Sequence, residues 1–249
     1  TAGPGYDYQP DWSPDGKRIV WSSSRDGAID FYQKAFENPS APEERLVTSG
    51  PRQARTLMDW SADGQFLLYR VTNETGGYDL WALATKEPDK PFPVVQQPFD
   101  EREAQFSPNG QWVVYQSNDT GRFEIYLQPF RGAGARTQIS TDGGGQARWR
   151  PDGKELFYVG LDGRLMSVPI EWLPDGSPRA ASAVALFAAN IGAPVPTIDR
   201  QQYTVSRDGQ RFLIPQFQTV QAVTNVPGPI AAINSAVATV VGTVAADRN

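Results

Sequence analysis

The tetrapeptide Ser13-Pro14-Asp15-Gly16 decides the fold of this chain, because variants of it recur along the 249-residue sequence. Four further copies keep the closing glycine and vary the earlier positions: Ser61-Ala62-Asp63-Gly64, Ser107-Pro108-Asn109-Gly110, Arg150-Pro151-Asp152-Gly153 and Ser206-Arg207-Asp208-Gly209. The closing glycines are 48, 46, 43 and 56 residues apart. A repeat of about 40–50 residues that contains several short strands is typical of a β-propeller.

The chemistry of the motif predicts a type I turn that closes a β-hairpin. Proline presets φ at the second position, aspartate or asparagine tolerates the third, and glycine accepts the positive φ of the fourth. We therefore interpret the Asp-Gly pairs as turns rather than as a ring of metal-binding carboxylates.

Strand patterns flank every turn. A segment that ends in an aromatic or branched residue precedes each turn, and an apolar run follows it. In the first four repeats a second glycine turn, a third strand and a weaker fourth strand follow. We predict an all-β propeller of four-stranded antiparallel blades, with five blades visible and a sixth if one is missed or is completed by the termini. We interpret the aromatic residues before the turns as packing between blades rather than as a ligand cage.

The repeats cover nearly the whole chain, so we expect a single propeller domain over residues 1–249. The predicted blades are residues 8–48, 56–97, 103–140, 146–187 and 201–245. The last unit is preceded by a Pro/Ala-rich insert at 174–196, and we expect part of this insert, residues 185–187, to close blade four. The tail of the last unit carries no charge between Arg211 and Asp247. We interpret the apolar runs at 229–233 and 237–244 as the last strands of blade five; a surface docked on a partner is the alternative.

Composition excludes several classes of chemistry. The chain has no histidine and no cysteine, which removes Ser-His-Asp and Cys-His catalysis, disulfides and ordinary transition-metal sites. No phosphate loop, dinucleotide-binding fingerprint or Gly-x-Ser-x-Gly elbow occurs. The net charge is −5, with no run of more than two Lys or Arg, so nucleic acid is not an expected partner. We expect no cofactor, no bound metal and no direct membrane span.

The candidate contact residues lie on the predicted inner strands. Each one directly precedes the aromatic residue that comes before the turn. They are Asp11, Asp59, Gln105 and Arg148, which we expect near the mouth of the central channel. Asp11 and Asp59 keep a second interpretation open, a carboxylate-dependent glycosidase on a five-bladed propeller, because that chemistry needs only Asp and Glu. Gln105 and Arg148 at the matching positions disfavour it. We therefore predict no catalytic residue and no enzyme activity.

The residues from Trp12 to Lys17 match outright the Trp-Ser-Pro-Asp-Gly-Lys pattern of TolB-like propellers. The resemblance runs from about residue 8 to residue 217 and is strongest over residues 121–168, which are similar to propellers fused to bacterial Ser/Thr protein kinases. The resemblance implies a non-catalytic scaffold that binds another protein. One form of this role is an extrinsic subunit of a larger membrane-associated assembly. A lid or sensor domain of a larger enzyme or kinase is the alternative. The resemblance also implies an extracytoplasmic, periplasmic location in a bacterium.

Overall fold

The computed structural model describes residues 5–38, 40–46, 54–132, 134–189, 191–195 and 201–216, together with the backbone of a strand at 237–243. No helix occurs among these residues, and their strands form five sheets. Neighbouring strands within each sheet are antiparallel. The prediction of an all-β chain built from antiparallel propeller blades is confirmed.

The first three sheets are regular four-stranded meanders, in which each strand pairs with the next along the chain. The first contains β1 (Asp7–Trp12), β2 (Arg18–Ser23), β3 (Asp30–Ala35) and β4 (Glu44–Arg45). The second contains β5 (Arg55–Trp60), β6 (Phe66–Thr72), β7 (Tyr78–Ala84) and β8 (Glu87–Val95). The third contains β9 (Glu101–Phe106), β10 (Trp112–Ser117), β11 (Glu124–Pro129) and β12 (Thr137–Gln138).

The fourth and fifth sheets depart from the regular pattern. The fourth contains β13 (Gly145–Trp149), β14 (Glu155–Val159), β15 (Arg164–Trp172), β16 (Pro178–Ala180) and β17 (Val184–Ala188). Here β15 pairs with both β16 and β17, so the sheet has one strand more than expected. The fifth contains β18 (Thr204–Val205), β19 (Arg211–Gln216) and β20 (Val237–Thr243), which are three strands rather than four in the described part. The predicted strand at 229–233 lies outside the described residues.

Residues 185–187, which we expected to close blade four, lie in β17 and pair with β15. The hairpin formed by β15 and β16, at the start of the 174–196 insert, was not expected. Its turn, Leu173-Pro174-Asp175-Gly176, is a further copy of the turn motif, in which the Gly176 amide donates to the Leu173 carbonyl at 2.8 Å. Trp172 at its base stacks on Trp149, with ring centroids 6.0 Å apart. The hairpin therefore packs onto its own sheet.

The five repeated turns have the predicted backbone geometry. Their closing glycines have φ between 68° and 74°, and each donates its N–H to the carbonyl that opens the turn at 2.8–2.9 Å. Side chains reinforce the first turn: Ser13 Oγ donates to Asp15 Oδ1 at 2.5 Å, and the Lys17 amide donates to the same oxygen at 3.0 Å. Asp15 therefore serves its own turn.

The hydrophobic core lies between neighbouring sheets. Trp60, Phe106 and Trp149, which precede the turns, are only 5–6% exposed. Each belongs to a cluster that includes residues of the preceding sheet. This position confirms that these aromatic residues pack between blades. Trp12, at the same position of the first sheet, is 48% exposed.

A second matched pair shows the same difference between sheets. The amides of Phe36 and Phe130 both donate at 2.8 Å to the carbonyl of the residue after the turn glycine, so the two positions are equivalent. Phe130 is 7% exposed and contacts other aromatic rings, including Phe106 at a centroid distance of 4.8 Å. Phe36 is 57% exposed and contacts Trp12 at 4.7 Å.

These matched positions give a direct test of where the core lies. We expect Phe130→Ala to lower the free energy of unfolding by about 3–5 kcal/mol, because it opens a cavity between two sheets. Phe36→Ala should cost less than about 1 kcal/mol, since its ring is already largely in water. Urea denaturation followed by tryptophan fluorescence measures both; equal losses would contradict the assignment.

Candidate functional site

A central cavity of about 810 Å³ is lined by residues from the first strand of all five sheets. The four residues predicted from the sequence, Asp11, Asp59, Gln105 and Arg148, all line it. Each has intermediate exposure, so each is accessible from the cavity while resting on the propeller wall. The structure thus brings the four side chains together, and their role in binding stays a prediction.

The four residues occupy equivalent positions in their sheets. Each one pairs with a buried residue of the second strand: Asp11 with Val20, Asp59 with Leu68, Gln105 with Val114, and Arg148 with Phe157. Because side chains alternate along a strand, this common register sends all four towards the same cavity.

A β-bulge precedes each of the four residues, where the register of the first strand shifts against the second. In three of these bulges a residue other than glycine adopts the left-handed region: Gln9 and Glu103 have φ 49°, and Gln146 has φ 57°. Such conformations cost on the order of 1–3 kcal/mol each. Bulges re-aim side chains and are frequent beside functional sites; here they lie next to the cavity.

Two of the four side chains connect neighbouring sheets by a hydrogen bond. Each accepts from the backbone amide of the aromatic residue at the end of the next inner strand: Asp59 from Phe106 at 2.6 Å, and Gln105 from Trp149 at 3.3 Å. Asp11 accepts from the amide of its own neighbour Trp12 at 2.9 Å, and the nearby Trp60 amide lowers its pKa. The sequence analysis missed this structural role, which requires an acceptor and is met by aspartate and glutamine alike.

Arg148 departs from this pattern. A guanidinium carries donors and no acceptor, so it cannot perform the same task. Within the described ranges, its guanidinium forms no hydrogen bond and no ion pair. Its positive charge acts at longer range and lowers the pKa of both Asp11 and Asp59.

The two carboxyl groups nevertheless bind protons more tightly than exposed aspartates do. Burial raises the pKa of Asp11, against the opposing effects of backbone amides and Arg148. Burial together with the neighbouring Asp11 raises the pKa of Asp59 to about 8, although Asp59 keeps intermediate exposure because it faces the open cavity. Asp59 is therefore mainly neutral at pH 7, and the cavity is less negative than its composition implies.

Further residues of the cavity wall were missed from the sequence. Glu103 accepts a hydrogen bond from the Gln201 side chain, and the Tyr203 hydroxyl donates to the Gln146 carbonyl at 2.9 Å. These contacts hold the start of the fifth unit against the third and fourth. A sequence pattern could have indicated such residues: Gln9, Glu103 and Gln146 are polar and each stands two positions before a candidate residue.

Two findings limit the chemistry of the described residues. Nowhere among them do three His, Cys, Asp or Glu side chains converge as a ligand set for a metal ion. They also contain no helix with the length and apolar character needed to cross a bilayer. We assign no metal-binding residue in this part of the chain.

The meandering sheets around one central cavity define a β-propeller. TolB from Acinetobacter baumannii matches 86% of this chain and 49% of its own length, with a TM-score of 0.63 and 17% identity. An Agrobacterium tumefaciens protein assigned as TolB matches 75% of this chain and 70% of its own length, with a TM-score of 0.56 and 16% identity. The chain therefore has a TolB-like propeller fold, as predicted; the likeness to kinase-fused propellers stays a prediction.

Comparison by sequence finds a more limited match. The uncharacterized protein Atu1656 of Agrobacterium fabrum is 26% identical over 164 residues, which are 61% of this chain and 54% of that protein. No family model matches the chain. The chain spans about half the length of this curated relative and of the Acinetobacter TolB structure.

The different roles of Gln105 and Arg148 predict different effects of their substitution on the free energy of unfolding. We expect Gln105→Met to lower the free energy of unfolding by about 1–3 kcal/mol, because the buried Trp149 amide loses its acceptor. Arg148→Met should change it by less than about 1 kcal/mol, since no hydrogen bond is lost. Chemical denaturation at fixed pH compares the two variants. A larger loss for Arg148→Met would contradict the assigned roles.

The raised pKa of Asp59 predicts a specific pH dependence. The folded state holds the Asp59 proton up to about pH 8, whereas the unfolded chain releases it near the ordinary aspartate pKa of about 3.9. This contribution to stability is complete below pH 4 and is lost as the pH rises towards 8. Asp59→Asn keeps an acceptor for the Phe106 amide and removes the titration. Thermal unfolding between pH 4 and 8 should fall less steeply for the variant; parallel curves would show that Asp59 does not titrate in this range.

Proposed function

We propose that this propeller is a non-catalytic binding module whose central cavity holds a segment of another protein. The observation that carries the proposal is the convergence of Asp11, Asp59, Gln105 and Arg148 on one cavity. Its volume of about 810 Å³ lies within the range of cavities that hold ligands in proteins. Strained residues beside the cavity agree with the same interpretation, because such conformations cluster at binding and active sites.

We infer further that the protein acts outside the cytoplasm of a bacterium, as an extrinsic subunit of a membrane-associated assembly. The TolB-like fold and the turn motif support this inference through their resemblance to TolB-like propellers. The apolar tail was the other feature that pointed to an assembly. Its strand β20 pairs with β19, which favours a place in the fifth sheet for that stretch.

Site-directed photo-cross-linking tests the proposed binding site. A benzophenone amino acid at Thr204, an exposed residue of the cavity wall, should form an adduct with one defined protein in native membrane and soluble fractions. The same probe at Lys86, which is exposed and does not line the cavity, is the matched control. Adducts of equal yield from both positions, or none from Thr204, would contradict binding in the cavity.

The same assay tests the contact residues. Arg148→Ala combined with Asp59→Asn should lower the Thr204 adduct yield at least about tenfold, because both changes alter polar groups that face the partner. Circular dichroism and thermal unfolding are the controls that check whether the double variant is folded. An unchanged yield from a folded variant would remove these two residues from the binding site.

A second candidate function, a carboxylate-dependent glycosidase, is favoured by one observation. The pKa of Asp59 is raised to about 8 beside a second carboxyl, Asp11, as a general acid in such an enzyme requires. Against it, both carboxyls already accept backbone hydrogen bonds, Asp59 from Phe106 of the next sheet and Asp11 from Trp12. We expect no hydrolysis of aryl glycosides; turnover that is lost in Asp11→Asn would establish the enzyme instead.

A further inference from the structure

The internal repeat provides a reference for what each cavity residue does. In the second and third sheets, the residue before the inter-blade aromatic supplies a hydrogen-bond acceptor to the next sheet. The first sheet carries another acceptor, Asp11, at that position, near the Trp60 amide. The fourth sheet carries Arg148 there, in the same register against the second strand. Because arginine has no acceptor, the structural task of the acceptors does not explain Arg148.

The donors of Arg148 are available to a ligand. Its guanidinium has no hydrogen-bond or ion-pair partner among the residues described, and it has intermediate exposure on the cavity wall. Asp11 and Asp59 lie close enough for their pKa values to respond to its charge. Neither carboxyl group, however, forms an ion pair with Arg148 within the part of the chain that the structure describes.

We propose that Arg148 binds a carboxylate of the protein segment that occupies the cavity, through paired N–H···O bonds from its guanidinium. This inference rests on the proposed function and adds the chemistry of the partner to it. The planar guanidinium matches a carboxylate in shape, with two parallel donors for two oxygens. The remaining polar wall supports this choice, since Gln105 uses only its side-chain oxygen towards Trp149 and retains the N–H donors of its amide.

The charge of the cavity favours a carboxylate over a phosphate. One guanidinium balances one negative charge, whereas a phosphate group carries up to two. Asp11 lines the same cavity, and a dianion near this carboxyl meets stronger repulsion than a monoanion does. The mainly neutral state of Asp59 reduces this repulsion for the single charge of a carboxylate.

Peptide titrations of the whole chain test the proposal. The probes are the pentapeptide acetyl-Ala-Ala-Glu-Ala-Ala-amide, its Gln analogue, and acetyl-penta-alanine with a free carboxyl terminus. The Arg148 Nε–Hε resonance, assigned with Arg148→Gln, reports binding. We expect one of the two carboxylate peptides to bind at least about tenfold more tightly than the Gln analogue, because a charge-assisted pair is lost. The stronger of the two identifies a side-chain or a terminal carboxylate as the source.

Variants separate the proposed contact from general electrostatics. Arg148→Gln should abolish the preference for a carboxylate, and Arg148→Lys should retain only part of it, because lysine keeps the charge without the paired donors. Arg164→Gln is the control, since Arg164 is an exposed arginine of the same sheet that does not line the cavity. Loss of the preference in Arg164→Gln as well would overturn the assignment to Arg148.

The remaining outcomes are also decisive. Three results would each overturn the proposal: equal binding of the Glu and Gln peptides, tighter binding of inorganic phosphate, or no response at about 10 mM peptide, which is roughly tenfold above a weak dissociation constant of about 1 mM. These failures leave the proposed function intact if Thr204 still cross-links to one partner. If that adduct is absent while the carboxylate preference is present, the cavity binds a smaller acid and the protein-binding function fails.

Discussion

The structure depends on a hydrogen bond that crosses from one sheet to the next at the centre of the propeller. The amide of each inter-blade aromatic residue is buried with its ring, so it needs an acceptor. The preceding inner strand supplies that acceptor from Asp59 to Phe106 and from Gln105 to Trp149, and it places Asp11 near the Trp60 amide. The bond fixes the position of each aromatic ring against its neighbouring sheet, and the clusters between sheets form around these rings.

This constraint also shapes the cavity. The acceptors must lie at the inner edge of each sheet to reach the next one, so they face the central space at the same time. The bulges before them place Gln9, Glu103 and Gln146 in left-handed conformations, which an undistorted strand would avoid. The need for acceptors therefore explains why polar residues line the cavity. A position that supplies no acceptor is open to a binding role. Arg148 is such a position.

The fold was predictable from the sequence because its signal is local and repeated. Each turn is decided by adjacent residues, as the φ of 68° at Gly16 illustrates, and the spacing of the turns then limits the architecture. The same motif at Leu173-Pro174-Asp175-Gly176 was overlooked because it lies inside a repeat instead of opening one. The three-strand fifth sheet was not predictable, since its third strand, β20, follows β19 only after a long intervening segment.

The common position of the four candidate residues was predictable, whereas their structural role was not. Alignment of the repeats places Asp11, Asp59, Gln105 and Arg148 in register, and the structure places them on one cavity. The bond from Phe106 to Asp59 joins residues 47 positions apart, and the bulge before Asp59 carries no polar residue at the position of Leu57 that could have indicated it. Neither glutamine nor glutamate strongly favours the left-handed region, so Gln9 and Glu103 give no local warning of it.

Native-state amide hydrogen exchange tests the central claim most directly. If the inter-sheet bonds hold the propeller together, the amides of Phe106 and Trp149 should exchange only through global unfolding, and their exchange free energies should match that of the most protected core strands. In Asp59→Ala, the Phe106 amide should lose protection selectively while Trp149 keeps it. Rapid exchange of these two amides in the unmodified protein would contradict their role in the bonds that join the blades.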